Sequence, residues 1–407
     1  MEKKLIERPL YIEQIRNFIN KDFIKIIIGI RRGGKSGLLA LIQKEVQKNT
    51  DDAHVIGMNF EDSEFFHIKN YEDMAKHFSS LIKDNKTYYF FLDEPQEVEG
   101  WEKAVNALRL KNADVYITGS NSKLLSSEFA KLLGGRVARF NMYPLSFMEF
   151  IEFRKQCGFG TGDTDKELDA FIRNGGFPAV SLYDFSDQDI RRIVTDTHST
   201  ALLRDVINRN KVRDPQLMGK IIEFLYDNVG SLVSFLSITK YLQSNGRRGT
   251  DLETITNYVR YLEEGYLIQR AQRYDVKGKK LLETNDKYFL TDHSLQYVVR
   301  DFRMDNIDGI LENIVFNELV RRGYTVNVGK IDTREIDFVA SKPNGEKIYI
   351  QVTYEFTKGV YEREFGPLKE IKDNHPKYVV SQDEFVVRND EGVIGILLKD
   401  FLLSPMI

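Results

Sequence analysis

GIRRGGKSGLL, Gly29 to Leu39, follows a short β-branched run at residues 25–28 (KIII). It leads into residues with helical spacing at Leu38, Leu39, Leu41, Ile42 and Val46. A buried strand, a glycine-rich turn and an amphipathic helix are therefore expected in that order. The glycines let the backbone curl until successive N–H groups face one point, and the helix adds its positive amino end there. Such a cradle suits phosphate. Gly29-x4-Gly34-Lys35-Ser36 matches the Walker A pattern in full, with Lys35 placed for the β- and γ-phosphates and the Ser36 hydroxyl for Mg²⁺. The expected lining is Gly29, Arg32, Gly33, Gly34, Lys35, Ser36 and Gly37, with ATP and Mg²⁺ as cofactors.

Working outward, residues 54–60 (HVIGMNF), 88–92 (YYFFL), 114–121 (DVYITGSN) and 136–142 (RVARFNM) read as further strands. Helical stretches near 71–82 and 102–110 fall between them, the alternation of a parallel sheet covered on both faces. Asp93 closes the third strand and fits the Walker B role of holding Mg²⁺. Glu94, next to it, suits a general base that orients and deprotonates an attacking water. Asn121 follows the fourth strand as a candidate sensor of the γ-phosphate. Arg136 is the candidate for a charge-stabilising arginine, in cis or from a neighbouring subunit, with Arg31, Arg32 and Arg139 as competitors.

The chain has 407 residues, enough for several domains. Its net charge of −3 shows no global pull toward nucleic acid, so any DNA surface has to be a local patch. One cysteine, Cys157, excludes a disulfide framework within the chain and suits a reducing compartment. MEKKLIERPL lacks the apolar core of a secretory signal, and no apolar run reaches the ~18 residues of a membrane helix. The expectation is a cytoplasmic protein without a membrane partner. Six histidines show no ligand spacing, which argues against zinc.

Beyond the sheet, residues 146–210 show helical character only. From Pro215 three helices and a hairpin are expected, the third helix opening on a capping box at Thr250–Glu253. YLIQRAQRYD and KYFLTD read as the hairpin strands around the turn Lys277-Gly278-Lys279, a winged-helix pattern. Residues 240–282 hold nine basic and five acidic side chains, so Lys277, Lys279 and Lys280 are candidates for double-stranded DNA contact. Packing between domains is the competing role. The tail reads as a helix at 307–321, strands at 324–329, 335–340 and 347–354, a helix, and a strand at 393–398. The domain plan is 1–145, 146–212, 213–295 and 296–407.

In order, GIRRGGKS, YYFFLDEPQ, YITGSNSKLL and GRVARFNMYPLSFMEF resemble the prokaryotic AAA-type ATPases often called archaeal-type ATPases. NGGFPAV, LLRDVINR, NYVRYLEEGYLI and RYDVKGKKLLETNDKYFLTD resemble that family's C-terminal portion. The resemblance implies an α/β P-loop ATPase domain, a helical lid, a winged helix and a small α/β nuclease-like tail. Nucleases of the PD-(D/E)xK type need an Asp on one strand and Glu-x-Lys on the next, with the carboxylates on Mg²⁺. Here Asp337 is followed by Gln351-Val352-Thr353, and Glu312 lies on the preceding helix. If the SKPNGEK turn closes with an odd number of loop residues, Asp337 sits opposite Gln351. Gln is a weaker ligand than a carboxylate for a hard cation, and Thr353 carries no charge. Glu312, Asp337 and Gln351 are thus a weak metal site, and strand cutting is not expected. Two functions remain: an ATPase that moves its later domains, or a DNA-binding or DNA-processing protein with regulatory ATP. A protein partner and a homo-oligomer fit either.

Overall fold

The computed structural model describes residues 5–51, 54–120, 131–247, 249–283, 285–300 and 306–404. The chain divides into two compact units. One holds Met1–Met142 with Glu264–Tyr266, and the other holds the remainder.

The first unit is built on five parallel strands: β1 (Ile24–Ile28), β2 (Val55–Asn59), β3 (Tyr89–Asp93), β4 (Asp114–Gly119) and β5 (Val137–Asn141). Their order is β2-β3-β4-β1-β5. All five strands expected from sequence are present, offset by one or two residues at some ends. The KIII run explains its own burial by alternation. Ile24, Ile26 and Ile28 enter a core with Met74 and Phe78 of helix Tyr71–Leu81 and Trp101 and Val105 of helix Trp101–Leu110. Ile27 points the other way, toward Tyr11 and Ile15 of helix Pro9–Arg16 and Leu38 and Ile42 of helix Lys35–Gln47. Lys25 is also fully buried, because Asp114 of β4 pairs with its ammonium. Tyr116 Oη and the Asn20 N–H donate to the other Asp114 oxygen at 2.8 and 2.9 Å, so the buried charges are paired and hydrogen-bonded.

The second unit opens with helices Phe147–Cys157, Thr164–Asn174, Pro178–Ser181 and Asp187–Ala201, the last running into π-helical turns at Leu202–Asn208. Ser146 and Glu149 form a capping box at the first of these. Helices Pro215–Asp227, Phe235–Ser244 and Leu252–Glu264 follow. The third does not open on Thr250. Asp251 caps it instead, accepting from the Thr254 N–H at 2.6 Å, so the cap and the amide it satisfies both lie one residue later than expected.

The expected hairpin is split. β7 (Ile268–Ala271) pairs antiparallel with β10 (Asp286–Leu290), and β6 (Leu232–Val233) flanks β10. Between β7 and β10, β8 (Arg273–Asp275) and β9 (Lys280–Leu281) leave this sheet and extend another. That second sheet has the order β15-β14-β13-β12-β11-β8-β9. It contains β11 (Thr325–Ile331), β12 (Arg334–Ser341), β13 (Lys347–Thr353), β14 (Lys377–Ser381) and β15 (Val393–Leu397). β8 lies parallel to β11, so the wing turn is the edge of the C-terminal sheet and not a free loop. Strand β14 (KYVVS) was not anticipated from sequence.

Helix Lys358–Glu370 covers one face of this sheet through Phe365 and Leu368. Helix Ile307–Arg321 binds it to the smaller sheet. Its Phe316 stacks on Phe289 of β10 with ring centroids 4.4 Å apart, and both approach Phe338 of β12. Its Asn313 amide holds Leu290 N–H and C=O at 2.8 and 2.7 Å, which satisfies a buried backbone pair.

Candidate functional site

Parallel order brings the ends of β1, β3 and β4 to one edge of the first sheet, the edge where such sheets bind ligands. Gly29 leaves β1 with φ +154°, and a Cβ there would meet the Met142 carbonyl oxygen at 2.0 Å. Only glycine fits. Arg32 (φ 60°) and Gly34 (φ 104°) are left-handed, which curls the loop onto the helix starting at Lys35. Lys35 is 4 % exposed. Its ammonium donates to the Gly29 and Ile30 carbonyls at 3.1 Å each and lies 3.9 Å from Glu94 Oε1. Ser36, in the first turn of the helix, is exposed.

Asp93 ends β3, and Thr118 is the penultimate residue of the neighbouring β4. Thr118 Oγ1 donates to Asp93 Oδ1 at 2.5 Å and accepts from the Glu94 N–H at 3.0 Å. One hydroxyl thereby ties both acids to β4, which lies between β1 and β3. Glu94 itself is left-handed, φ 51° and ψ 48°, a backbone state that costs about 1–3 kcal/mol in a non-glycine residue and is typical of functional turns. The Gln96 amide donates to Glu94 Oε2. Arg8, 2 % exposed, donates to the Gly33 carbonyl at 3.3 Å and lies over the Tyr11 ring. Sequence reading missed Arg8 and Gln96 and held Thr118 only as part of the fourth strand. Pro9 at a helix start was the sole local hint for Arg8.

The structure brings together Gly29, Arg32, Gly33, Gly34, Lys35, Ser36, Gly37, Asp93 and Glu94. Asn121 lies outside the described residues. Arg136 is not brought to this edge. Its carbonyl accepts from Ile24 N–H at the start of β1, and its guanidinium pairs with Asp22. That is a strand's length from the loop, ~15 Å. The cis role is excluded by geometry.

The donor set fits a Mg²⁺–nucleotide. A lysine, a helix amino end and a glycine cradle face the phosphates, and Ser36 and Asp93 offer oxygen to a hard cation. Residues 21–151 match the AAA domain family (AAA_14), and residues 165–306 match a domain of unknown function (DUF8612). The first unit carries an AAA-type P-loop ATPase domain. A solved structure described as the Walker-type ATPase PABY2304 of Pyrococcus abyssi shares the fold, with TM-score 0.52 at 15% identity over 72% of this chain and 95% of that one.

Over its length the chain is 38% identical to an uncharacterized protein of Haemophilus influenzae, covering 99% of this chain and 100% of that one. It is 31% identical to the uncharacterized protein MJ1544 of Methanocaldococcus jannaschii, covering 98% and 88%. The chain belongs to the family of these two proteins.

In the second unit, Glu312, Asp337 and Gln351 also meet. The register Phe338↔Ile350 sets Asp337 beside Gln351, and the Asp337 N–H donates to Gln351 Oε1 at 2.6 Å. Glu312 and Asp337 lie against Lys287, however, and among the described residues no group of three or more His, Cys, Asp or Glu is arranged to hold a metal ion. Lys279 and Lys280 are exposed, and Lys277 is paired with Asp332. No helix among the described residues is long and apolar enough to cross a membrane.

Proposed function

We propose that the protein binds ATP with Mg²⁺ and hydrolyses it, and that the nucleotide state moves the segments after Met142, which we read as a helical lid, a winged helix and a nuclease-like tail. The observation that carries this reading is the Asp93–Thr118–Glu94 arrangement beside Lys35. A passive nucleotide holder has no need of a second acid held in a strained turn. Mg²⁺, when bound, neutralises phosphate charge and polarises the transferred group. Lys35 supplies a point charge to the β- and γ-phosphates, and Glu94 orients a water and takes its proton. Thr118 keeps the two acids in register. Arg136 serves a neighbouring copy's site, so the active form is a homo-oligomer. A reducing, cytoplasmic location agrees with the single cysteine.

Regulatory ATP with DNA binding is the second reading, favoured by exposed Lys279 and Lys280 at the β8–β9 turn. A protein partner at that turn is the other occupant of this reading. Mg²⁺-dependent ATP turnover, measured with and without duplex DNA on one preparation, separates the two readings. Turnover independent of DNA supports the first. Nucleotide binding without turnover, joined by salt-sensitive duplex binding, supports the second.

A further inference from the structure

The second unit has a charged centre that the ATPase reading does not use. Lys287 of β10 is 1 % exposed. Its ammonium lies 2.8 Å from Glu312 on helix Ile307–Arg321, 2.7 Å from Glu335 and 3.6 Å from Asp337, both on β12. Glu335 and Asp337 are two apart on one strand and so share a face. Burial works against the ammonium, yet Glu312, Asp337 and Glu335 together hold its pKa above the ordinary lysine range.

The positions expected to serve a metal are spent internally. Gln351 Oε1 accepts from the Asp337 N–H, and its Nε2 donates to Glu364 at 2.8 Å. Asp337 Oδ2 accepts from the Val352 N–H at 2.8 Å. Thr353 Oγ1 donates to the Glu355 carbonyl at 3.0 Å. A carboxylate at position 351 would repel Glu364 and Asp337 around a single ammonium, so the neutral amide belongs to this arrangement. A hard divalent cation needs oxygens converging at about 2.0–2.6 Å. Here the acids are spread around a nitrogen that already fills the position. A cavity of about 370 Å³, lined by Asp308, Glu312, Arg334, Asp337, Gln351 and Glu364, leads up to them.

We propose that Lys287 is a built-in cation standing where a divalent metal ion would bind, closing the C-terminal acidic centre to metal and clamping β10 to β12 and helix Ile307–Arg321. Sequence spacing hides this role, because the lysine comes from the smaller sheet and not from the strand after Asp337. The centre is then an electrostatic anchor, and its latent ligand class is a divalent cation of the Mg²⁺ or Mn²⁺ kind.

The test is a Mn²⁺ titration of the full chain without nucleotide, read by the loss of the free-ion paramagnetic signal, with thermal melting alongside. The wild type is expected to show no Mn²⁺ site that Asp337→Asn removes. Lys287→Met is expected to melt roughly 10 °C lower, since breaking a buried pair leaves an uncompensated charge. It should gain one Mn²⁺ site, lost again in Lys287→Met/Asp337→Asn, and Mn²⁺ should raise its Tm. A wild-type Mn²⁺ site that Asp337→Asn abolishes would overturn the proposal. So would Lys287→Met that neither loses stability nor gains Mn²⁺. Where Lys287→Met melts too low to titrate, Glu312→Gln decides. It should raise the Tm of the Lys287→Met protein and leave unchanged or lower that of the wild type. An equal shift in both backgrounds sinks the idea.

Discussion

Lys35, at the start of a helix, and Lys287, in a strand, are both buried ammonium groups beside carboxylates, and they are held in opposite ways. Lys35 rests on two carbonyl oxygens of its own loop, with Glu94 at 3.9 Å. Lys287 sits within 2.8 Å of two carboxylates, with a third at 3.6 Å. Carbonyls orient an ammonium without cancelling its charge, which suits the phosphate role proposed for Lys35. Carboxylates cancel it, so Lys287 binds its own chain. The backbone follows the same split. Glycine and left-handed residues shape the first site, and regular strand and helix shape the second. A lysine at a curled loop serves a ligand, whereas a lysine in a regular strand serves the fold.

The largest effect should break the comparison at the acid beside Lys35. Glu94→Gln is expected to lower ATP turnover by about 10²–10⁴ while nucleotide affinity is retained, measured by steady-state hydrolysis and nucleotide titration. Normal turnover would remove Glu94 from the base role. Lys35→Ala should lower turnover by roughly 10²–10³ and weaken ATP binding as well, because the charge acts on the phosphates directly. Unchanged ATP affinity would count against its assignment. Thr118→Val keeps the shape and deletes the hydroxyl that joins Asp93 to Glu94. Hydrogen bonds to charged groups are worth about 1.5–3 kcal/mol, so the melting temperature should fall, and turnover should fall roughly tenfold to a hundredfold as the acids lose their shared tie; unchanged turnover would remove Thr118 from that positioning role.

The smallest effect sharpens the other half. Burial, and then the Asp337 charge, push the Glu364 carboxyl up to about 7 from an ordinary 4.5. A carboxyl with a raised folded-state pKa stabilises fully below its unfolded value, and that stability is lost as pH climbs to the folded one. Glu364→Gln cannot ionise. Its Tm relative to wild type should therefore rise between pH about 4.5 and about 7 and then level off. A flat difference across that window would show that Glu364 ionises freely.

Much of the first site was legible because its chemistry is local. Gly29 to Ser36 are adjacent in sequence, and Asp93-Glu94 follow a run whose burial is self-evident. Thr118 was visible only as a strand residue, since its bond to Asp93 depends on β4 lying beside β3. Arg8 is separated from Gly33 by a helix and a strand, and no spacing rule reaches across them. Arg136 was read just at the start of the fifth strand. Its end of the strand follows from parallel pairing with β1, which puts it beside Asp22. The two expected wing strands pair as β7 and β10, but the residues between them join the sheet of β11, a pairing that no local alternation encodes.

By itself the sequence determined the phosphate loop, the acids that follow the third strand and the alternating strands and helices. Each depends on residues a few positions apart, where periodicity and turn chemistry suffice. Only the tertiary structure decided which edge of the sheet Arg136 faces, which strands share a sheet, and which lysine meets Glu312 and Asp337. Those outcomes depend on strand order and packing between distant segments, and no local spacing encodes them.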